Sequence, residues 1–469
     1  MTTPLTLSAA AAALRDGSTT SVELVEHAIA EADLYDADLG TFLARYSETA
    51  LEAAEVADEL LAAGADVGPL HGIPLGIKDI LTTVEGPTTA QSVVHDPEWN
   101  GRADASAVAR LRAAGGIVMG KTTTWEFAVG LPDLTKPFPL PRNPWNTERY
   151  TGGSSSGSGN GVMAGMFLAA IGTDTGGSIR IPAAFCGITG LVPTFGRVSK
   201  AGCVPAVWSL DHIGPMARSA EDCAHLLQAL AGFDPADVNS VSERVEPVPD
   251  YAAALTGDLA GVRVGVDLLT AWTDQDPTVP IALAVAVEHL RALGATVVDV
   301  SLPLYEETLA ALYVTTGGEL LGYHAPDAER AWGDYFAATR DMIARSIYYT
   351  AADYVQAQRV RRVSQQKLAR VFEDVDLVIT PTNNVGATGL DELHDLPSFV
   401  AAVNTSYWDV VGNPVMTVPN GFTAAGLPLG MQIAGRPFEE ALVLRAGDAF
   451  QRVTDWHLRT APLSSVVSA

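Results

Sequence analysis

Apolar positions recur with a helical period over the first sixty residues and give way to short continuous runs after them. The Ala-rich start, MTTPLTLSAAAAALRDG, reads as a short helix with no basic region ahead of it, which argues against a secretory signal. Thr20 followed by Glu23 forms a capping box and opens a helix through Val25, Ile29 and Ala32. A second helix is expected from Glu48 to Ala63, stopping at Gly64. Beyond it come a buried strand at Leu75–Leu81, a helix opened by Asp104, and a strand at Ile117–Met119. The alternation returns with Val262–Val266, a helix around Ala282–Leu293, and strands at Thr296–Val300 and Leu377–Thr380. Strands at Val415–Val418 and Leu429–Ile433 precede a closing helix over Glu439–Arg452.

Such alternation predicts an α/β protein with a large sheet covered by helices. No internal repeat or low-complexity linker divides it. The Pro-rich stretch Pro132–Pro144, the segment Arg142–Thr151 and the stretch Phe233–Tyr251 are expected as loops. One domain over residues 1–469 is expected, with a helical segment 1–65 packing on the α/β core. The longest uncharged stretch, Tyr150–Thr173, has membrane length, but its first half is Gly and Ser. Only Val162–Ile171 is apolar throughout, expected as a helix and too short to span a bilayer.

Charge and cysteine content narrow the function classes. With 29 basic and 55 acidic residues the net charge is −26, the wrong sign for tracking a phosphate backbone, so no nucleic-acid partner is expected. Three cysteines (Cys186, Cys203 and Cys223) have no CxxC or metal-ligand spacing, which points to a reducing, cytoplasmic setting and to no structural metal.

Two motifs are decoys. Gly115–Thr122 matches the phosphate-loop pattern G-x-x-x-x-G-K-[ST], yet its variable positions include Ile117, Val118 and Met119, a buried strand. A strand that pairs in a sheet cannot also offer its N–H groups to phosphate. Gly153–Gly157 matches the G-x-S-x-G elbow with Ser155 as the serine, but that elbow follows an apolar strand. Of the downstream histidines, His212, His324, His394 and His457, none has a recognisable supporting context.

The informative constellation is Gly152-Gly-Ser-Ser-Ser-Gly-Ser-Gly159 followed by Gly172-Thr-Asp-Thr-Gly-Gly-Ser-Ile-Arg-Ile-Pro182, whose candidate serines Ser154 and Ser178 lie 24 positions apart. Upstream, His71-Gly-Ile-Pro-Leu-Gly-Ile-Lys-Asp-Ile80 puts Lys78 on a buried strand, where desolvation favours the neutral amine. Asp79 alternates to the opposite face and is not expected to restore the charge.

With the Arg142–Asn146 loop and the Ala184-Phe-Cys-Gly187 block, this combination resembles the amidase signature family, from about Ser21 to Gly447. The resemblance implies one α/β domain with a mixed sheet wrapped in helices. It implies Ser178 as nucleophile, Ser154 as a bridging serine preceded by a cis peptide, and Lys78 as base. Backbone N–H groups of Thr175, Gly176, Gly177 and Ser178 would form the oxyanion hole, with Gly153, Ser155, Asp174 and Arg180 supporting. No metal or organic cofactor is implied.

Departures from the family pattern are Ser156, Asn160 and Met163 behind the turn, and Thr123 and Trp125 in Lys121–Phe127. Trp125, Phe127 and Trp208 are candidate pocket residues. The pocket is expected from segments near Trp125–Pro141, Val204–Trp208, Tyr305–Tyr349 and Thr382–Asp409. Their aromatics (Phe138, Trp208, Tyr348, Tyr349, Phe399 and Tyr407) favour an apolar or aryl substrate. The expected activity is hydrolysis of a small-molecule amide, including aryl acylamides, with esters and carbamates sharing the carbonyl geometry, by a monomer or homodimer without membrane. The rival within the family is the amidase subunit of a tRNA-dependent amidotransferase. An inactive binding protein on the same fold is the other.

Overall fold

Most of the short apolar runs become buried strands of an 11-stranded sheet, whereas the run at Thr296–Asp299 is its largely exposed edge. The structure, a computed structural model, describes residues 6–394 and 396–463. Its strands are β1 (Phe42–Arg45), β2 (Pro74–Lys78), β3 (Ile117–Thr122), β4 (Arg142–Asn143), β5 (Asn146–Tyr150), β6 (Ala169–Asp174) and β7 (Thr189–Val192). Then follow β8 (His212–Ala217), β9 (Arg263–Val266), β10 (Thr296–Asp299), β11 (Leu377–Pro381), β12 (Val415–Phe422) and β13 (Pro428–Gly435). The order in the large sheet is β1-β3-β2-β6-β8-β7-β12-β13-β11-β9-β10. It is mixed: β2 runs parallel to β3 and β6, and β9 to β10 and β11, while the other pairs are antiparallel. The single large α/β domain with a helix-flanked mixed sheet is therefore observed.

Several local expectations change. The helix Ser106–Ala113 starts without a side-chain cap. Asp104 is drawn off instead, accepting from the Val84 N–H at 2.9 Å and pairing with Arg112 at 2.9 Å. The apolar run Val162–Ile171 is two elements. The helix Ser156–Ala164 ends at Gly165, whose φ of 76° is the left-handed conformation glycine adopts freely, and β6 begins at Ala169. Arg142–Thr151 is not wholly a loop, since β4 and β5 pair as a small hairpin. The N-terminal segment is not purely helical. Between the helices Ser21–Leu39 and Ser47–Ala62, β1 adds antiparallel to β3 at the sheet edge. The Thr20–Glu23 capping box is present as expected.

Strand β2 is the element that positions the site. It sits between β3 and β6, is buried along its length, and stops at Lys78. There the chain turns, with the Ile80 and Leu81 N–H groups both donating to the Lys78 carbonyl. This interior strand thus delivers Lys78 to the mouth of the glycine-rich turns that flank β6.

Candidate active site

Lys78 is fully buried. Its Nζ lies 2.7 Å from Ser154 Oγ, 2.7 Å from Thr173 Oγ1 and 3.4 Å from the Thr173 carbonyl. Burial lowers its pKa to about 7, against the opposing fields of Cys203, Asp174 and Asp211. A neutral amine has two hydrogens and one lone pair. Thr173 can take both hydrogens, which leaves the lone pair facing Ser154. Asp79 does not neutralise this lysine: its carboxylate pairs with Lys121 at 3.0 Å and accepts the Thr89 N–H at 3.1 Å. Lys121, the lysine of the phosphate-loop match, is buried on β3 and donates to the Leu81 carbonyl and Thr88 Oγ1. It forms no phosphate cradle.

The first glycine-serine turn leads from β5 into the helix Ser156–Ala164. The Gly153–Ser154 peptide is cis. A Cβ on Gly153 would collide with the Trp125 indole at Nε1, so only glycine lets the ring approach this closely. Ser155 is buried and turned inward. Its N–H donates to the Ser178 carbonyl at 3.1 Å, and its hydroxyl donates to the Thr173 carbonyl and accepts the Thr173 N–H, both at 3.2 Å. It ties the two turns together with its hydroxyl away from the cavity, and the strand before it, Asn146–Tyr150, is polar and lies outside the main sheet. The elbow geometry is absent.

The departures from the family pattern have local partners. Ser156 donates to the Gly152 carbonyl at 2.8 Å and meets Tyr150 Oη at 2.9 Å. Asn160 accepts from Thr41 Oγ1 at 3.0 Å and donates to the Leu39 carbonyl at 2.8 Å, fastening this helix to the N-terminal helices. Met163 packs in the core, and Thr123 Oγ1 donates to the Gly40 carbonyl at 2.9 Å.

The second turn is built on a buried ion pair. Arg180 is fully buried, with Nε and Nη2 each 3.0 Å from an Asp174 oxygen. It also donates to Asp409 at 2.5 Å, to the Thr405 carbonyl at 2.7 Å and to Gln432 at 2.9 Å. Burial alone would raise the Asp174 carboxyl, but Arg180 and the Ile179 N–H hold it well below the usual carboxylate range. Burial pushes Asp409 well up despite Arg180.

Asp174 Oδ1 accepts the Gly177 N–H at 2.5 Å. Of the four N–H groups expected at the oxyanion hole, that of Gly177 is thus already paired inside the turn. The N–H groups of Thr175, Gly176 and Ser178 have no acceptor among the described residues. The Ser178 hydroxyl likewise has no hydrogen-bond partner among them, so its link to Ser154 is open in this state. Arg180→Met strands two buried carboxylates and is expected to cost about 3–5 kcal/mol, read as a lower urea midpoint. Arg180→Lys is not expected to rescue it, since a single ammonium cannot span the four partners of the guanidinium.

Ser178, Thr175, Gly176 and Gly153 face a cavity of about 140 Å³. Its walls include Trp125, Val207, Leu312, Tyr313, Met342 and Phe399, and no charged side chain lines it. Trp125 thus stands where a pocket residue was expected, with its indole N–H donating to Tyr150 Oη. Phe127 does not line the cavity. It is buried in an aromatic cluster with His324, at 4.4 Å between ring centroids, and with Tyr335. Trp208 does not line it either, being 44% exposed with Lys200 Nζ over its ring; Val207 beside it does.

Of the other aromatics singled out, Phe399 reaches the cavity. Phe138 packs on Phe336, Tyr407 stacks on Tyr305, and Tyr348 is exposed. His212 is buried on β8, where burial pushes its pKa down to about 3, and it lines no part of the cavity. Sequence reasoning missed Thr173 as a partner of Lys78. Tyr313 and Thr316, which the helix Tyr305–Ala331 projects into the cavity, fall within the expected pocket segment Tyr305–Tyr349 without having been singled out. Among the described residues no group of three or more His, Cys, Asp or Glu could hold a metal, and no helix is long and apolar enough to cross a membrane.

The helix-covered mixed sheet is similar to that of solved amidase structures. The peptide amidase from Stenotrophomonas maltophilia superposes with a TM-score of 0.83 at 29% identity, covering 96% of each chain. The chain belongs to the amidase signature family, whose Amidase model matches residues 23–444. Among sequence relatives, a glutamyl-tRNA(Gln) amidotransferase subunit of Roseiflexus sp. (strain RS-1) is 43% identical over 98% of both chains. A structure described as a vestigial protein complex bearing on the evolutionary origins of an s-triazine catabolic enzyme is similar with a TM-score of 0.88. It is 32% identical and covers 96% of this chain and 98% of that one.

Proposed function

We propose that this protein is a serine amidohydrolase that cleaves carboxamides with an apolar or aryl part at Ser178 through an acyl-enzyme, acting alone, as a monomer or homodimer in the cytoplasm. Ser178 Oγ attacks the carbonyl carbon while its proton passes to Ser154 Oγ and the Ser154 proton passes to neutral Lys78 Nζ. The carbonyl electron pair becomes an oxyanion, held by the N–H groups of Thr175, Gly176 and Ser178. As the tetrahedral intermediate collapses, the C–N bond breaks and the proton returns through Ser154 to the leaving nitrogen. Water then attacks the acyl-enzyme over the same relay in reverse. The open Ser178–Ser154 link closes when substrate is bound, since such contacts often tighten only in the complex. Esters and carbamates present the same carbonyl and are processed by the same route.

The observation that carries the substrate class is the uncharged lining of the cavity at Ser178. Free glutamine brings a carboxylate, and burying it without a cationic partner is costly. A cavity of about 140 Å³ suits a single ring, since an engineered apolar cavity of about 150 Å³ binds benzene.

The second reading, the amidase component of a tRNA-dependent amidotransferase, is favoured by the 43% identity to the Roseiflexus protein over nearly the full length. A product-release screen across aliphatic amides, anilides, esters, carbamates and glutamine, run on the purified chain alone, separates the two. The expected result is anilide hydrolysis with kcat/KM at least about 100-fold above that for glutamine, a difference of ~2.7 kcal/mol. Glutaminase activity appearing only when a further protein component is added would establish the second reading instead.

A further inference from the structure

A second cavity, of about 400 Å³, adjoins the first and shares Tyr313, Val400, Val403 and Ser406 with it. Its lining differs in charge. Asp274 and Glu306 are part of it, and no Lys, Arg or His is. Neither carboxylate has an ion-pair partner among the described residues. One wall is aromatic: Trp272, 41% exposed, stacks on Tyr305 at 5.8 Å between centroids and 22°. Tyr305 in turn stacks on Tyr407 at 5.7 Å and 12°. An indole face beside two unpaired carboxylates attracts a cation through the ring quadrupole and through charge, and repels an anion. The net charge of −26 adds a field of the same sign. The cavity on the other flank, about 510 Å³, mixes Asp133, Asp341 and Asp391 with Arg345 and His394 and has no indole in its lining, so it carries no such preference.

We infer that the Trp272–Asp274–Glu306 cavity is a subsite for a cationic arm of the substrate, an alkylammonium or quaternary ammonium group, on a molecule whose apolar part fills the cavity at Ser178. The inference rests on the amidohydrolase reading and deepens it. The arm would enter past Tyr313 and Ser406, which line both cavities. Because Trp272 and both carboxylates reach solvent, the attraction is open to screening by salt.

The test compares isosteric amides that differ only in charge. N-[2-(trimethylammonio)ethyl]benzamide is set against N-(3,3-dimethylbutyl)benzamide, with a second series of anilides carrying the same groups on the acyl arm. In at least one series the cationic substrate is expected to have kcat/KM about tenfold above its neutral isostere at low salt. In the Asp274→Asn/Glu306→Gln double variant, and separately in Trp272→Ala, that ratio falls toward one. Binding is read independently of turnover by calorimetry with choline against 3,3-dimethylbutan-1-ol. Wild-type protein should favour choline about tenfold, and the variants should not. Equal binding of the two probes by wild type, or a preference the variants retain, overturns the subsite. A choline preference lost in the variants, without hydrolysis of any amide, supports the subsite and overturns the hydrolase reading alone.

Discussion

Lys78→Arg is expected to be as inactive as Lys78→Ala, each losing on the order of 10⁴-fold in kcat, the upper range for general acid–base catalysis. A guanidinium stays charged at all accessible pH and cannot accept the Ser154 proton. If position 78 supplied only positive charge, arginine would retain activity. The wild-type pH profile follows from the same group. The base works as the neutral amine, so activity is low below its pKa and rises through it. Burial lowers the Lys78 pKa to about 7, so the acid limb of kcat/KM is expected to have its midpoint near 7 and to flatten above 8. An unperturbed lysine would put that midpoint at about 10.4. Thr173→Val removes the hydroxyl 2.7 Å from Nζ, and a modest displacement of the limb with a smaller loss of rate is expected there.

Ser178→Ala is expected to lower kcat by about 10⁶-fold, the scale seen when another serine hydrolase loses its nucleophile. Stability is expected to be unaffected. The Ser178 hydroxyl has no partner among the described residues to lose, and its carbonyl, which accepts the Ser155 N–H, is retained. Covalent labelling by a fluorophosphonate should vanish with it. Ser155→Ala is the informative contrast. It removes two hydrogen bonds to Thr173, so it should lower the melting temperature while leaving label on Ser178. Label that moves to Ser155 would restore the elbow reading.

The candidate residues of the proposed chemistry were legible because each breaks a local rule. A lysine between isoleucines on a buried strand, and serines among clustered glycines, have no packing rationale and so stand out. What joins them was not legible. Thr173 meets Lys78 because β2 and β6 are parallel neighbours, with Ile77 opposite Ile171, and that pairing crosses the connection between them. Gly177 looked like a fourth oxyanion donor because the motif shows glycines but not where their N–H groups point. Asp174 takes that donor from within the same turn.

Misread elements share a cause of another kind. Val162–Ile171 is apolar in a helix and in a buried strand alike, so period could not separate them. Only the left-handed Gly165 marks the break. The four-residue β1 was hidden between two helices and is held by pairing with β3, a tertiary effect. Phe127 and Trp208 were drawn to the pocket by proximity in sequence to residues that do line it. Side-chain direction decided otherwise, and Phe127 turned into its own aromatic cluster.

The most direct measurement is peptide mapping of the acyl-enzyme trapped by acid quench during turnover of p-nitrophenyl benzoate by the wild-type protein at pH 8. One benzoyl group on the peptide containing Ser178, absent from Ser178→Ala and strongly reduced in Lys78→Arg, is the result predicted. A benzoyl group on Ser154, Ser155 or a cysteine, or no covalent intermediate under conditions where product is released in a burst, would contradict the Ser178–Ser154–Lys78 account.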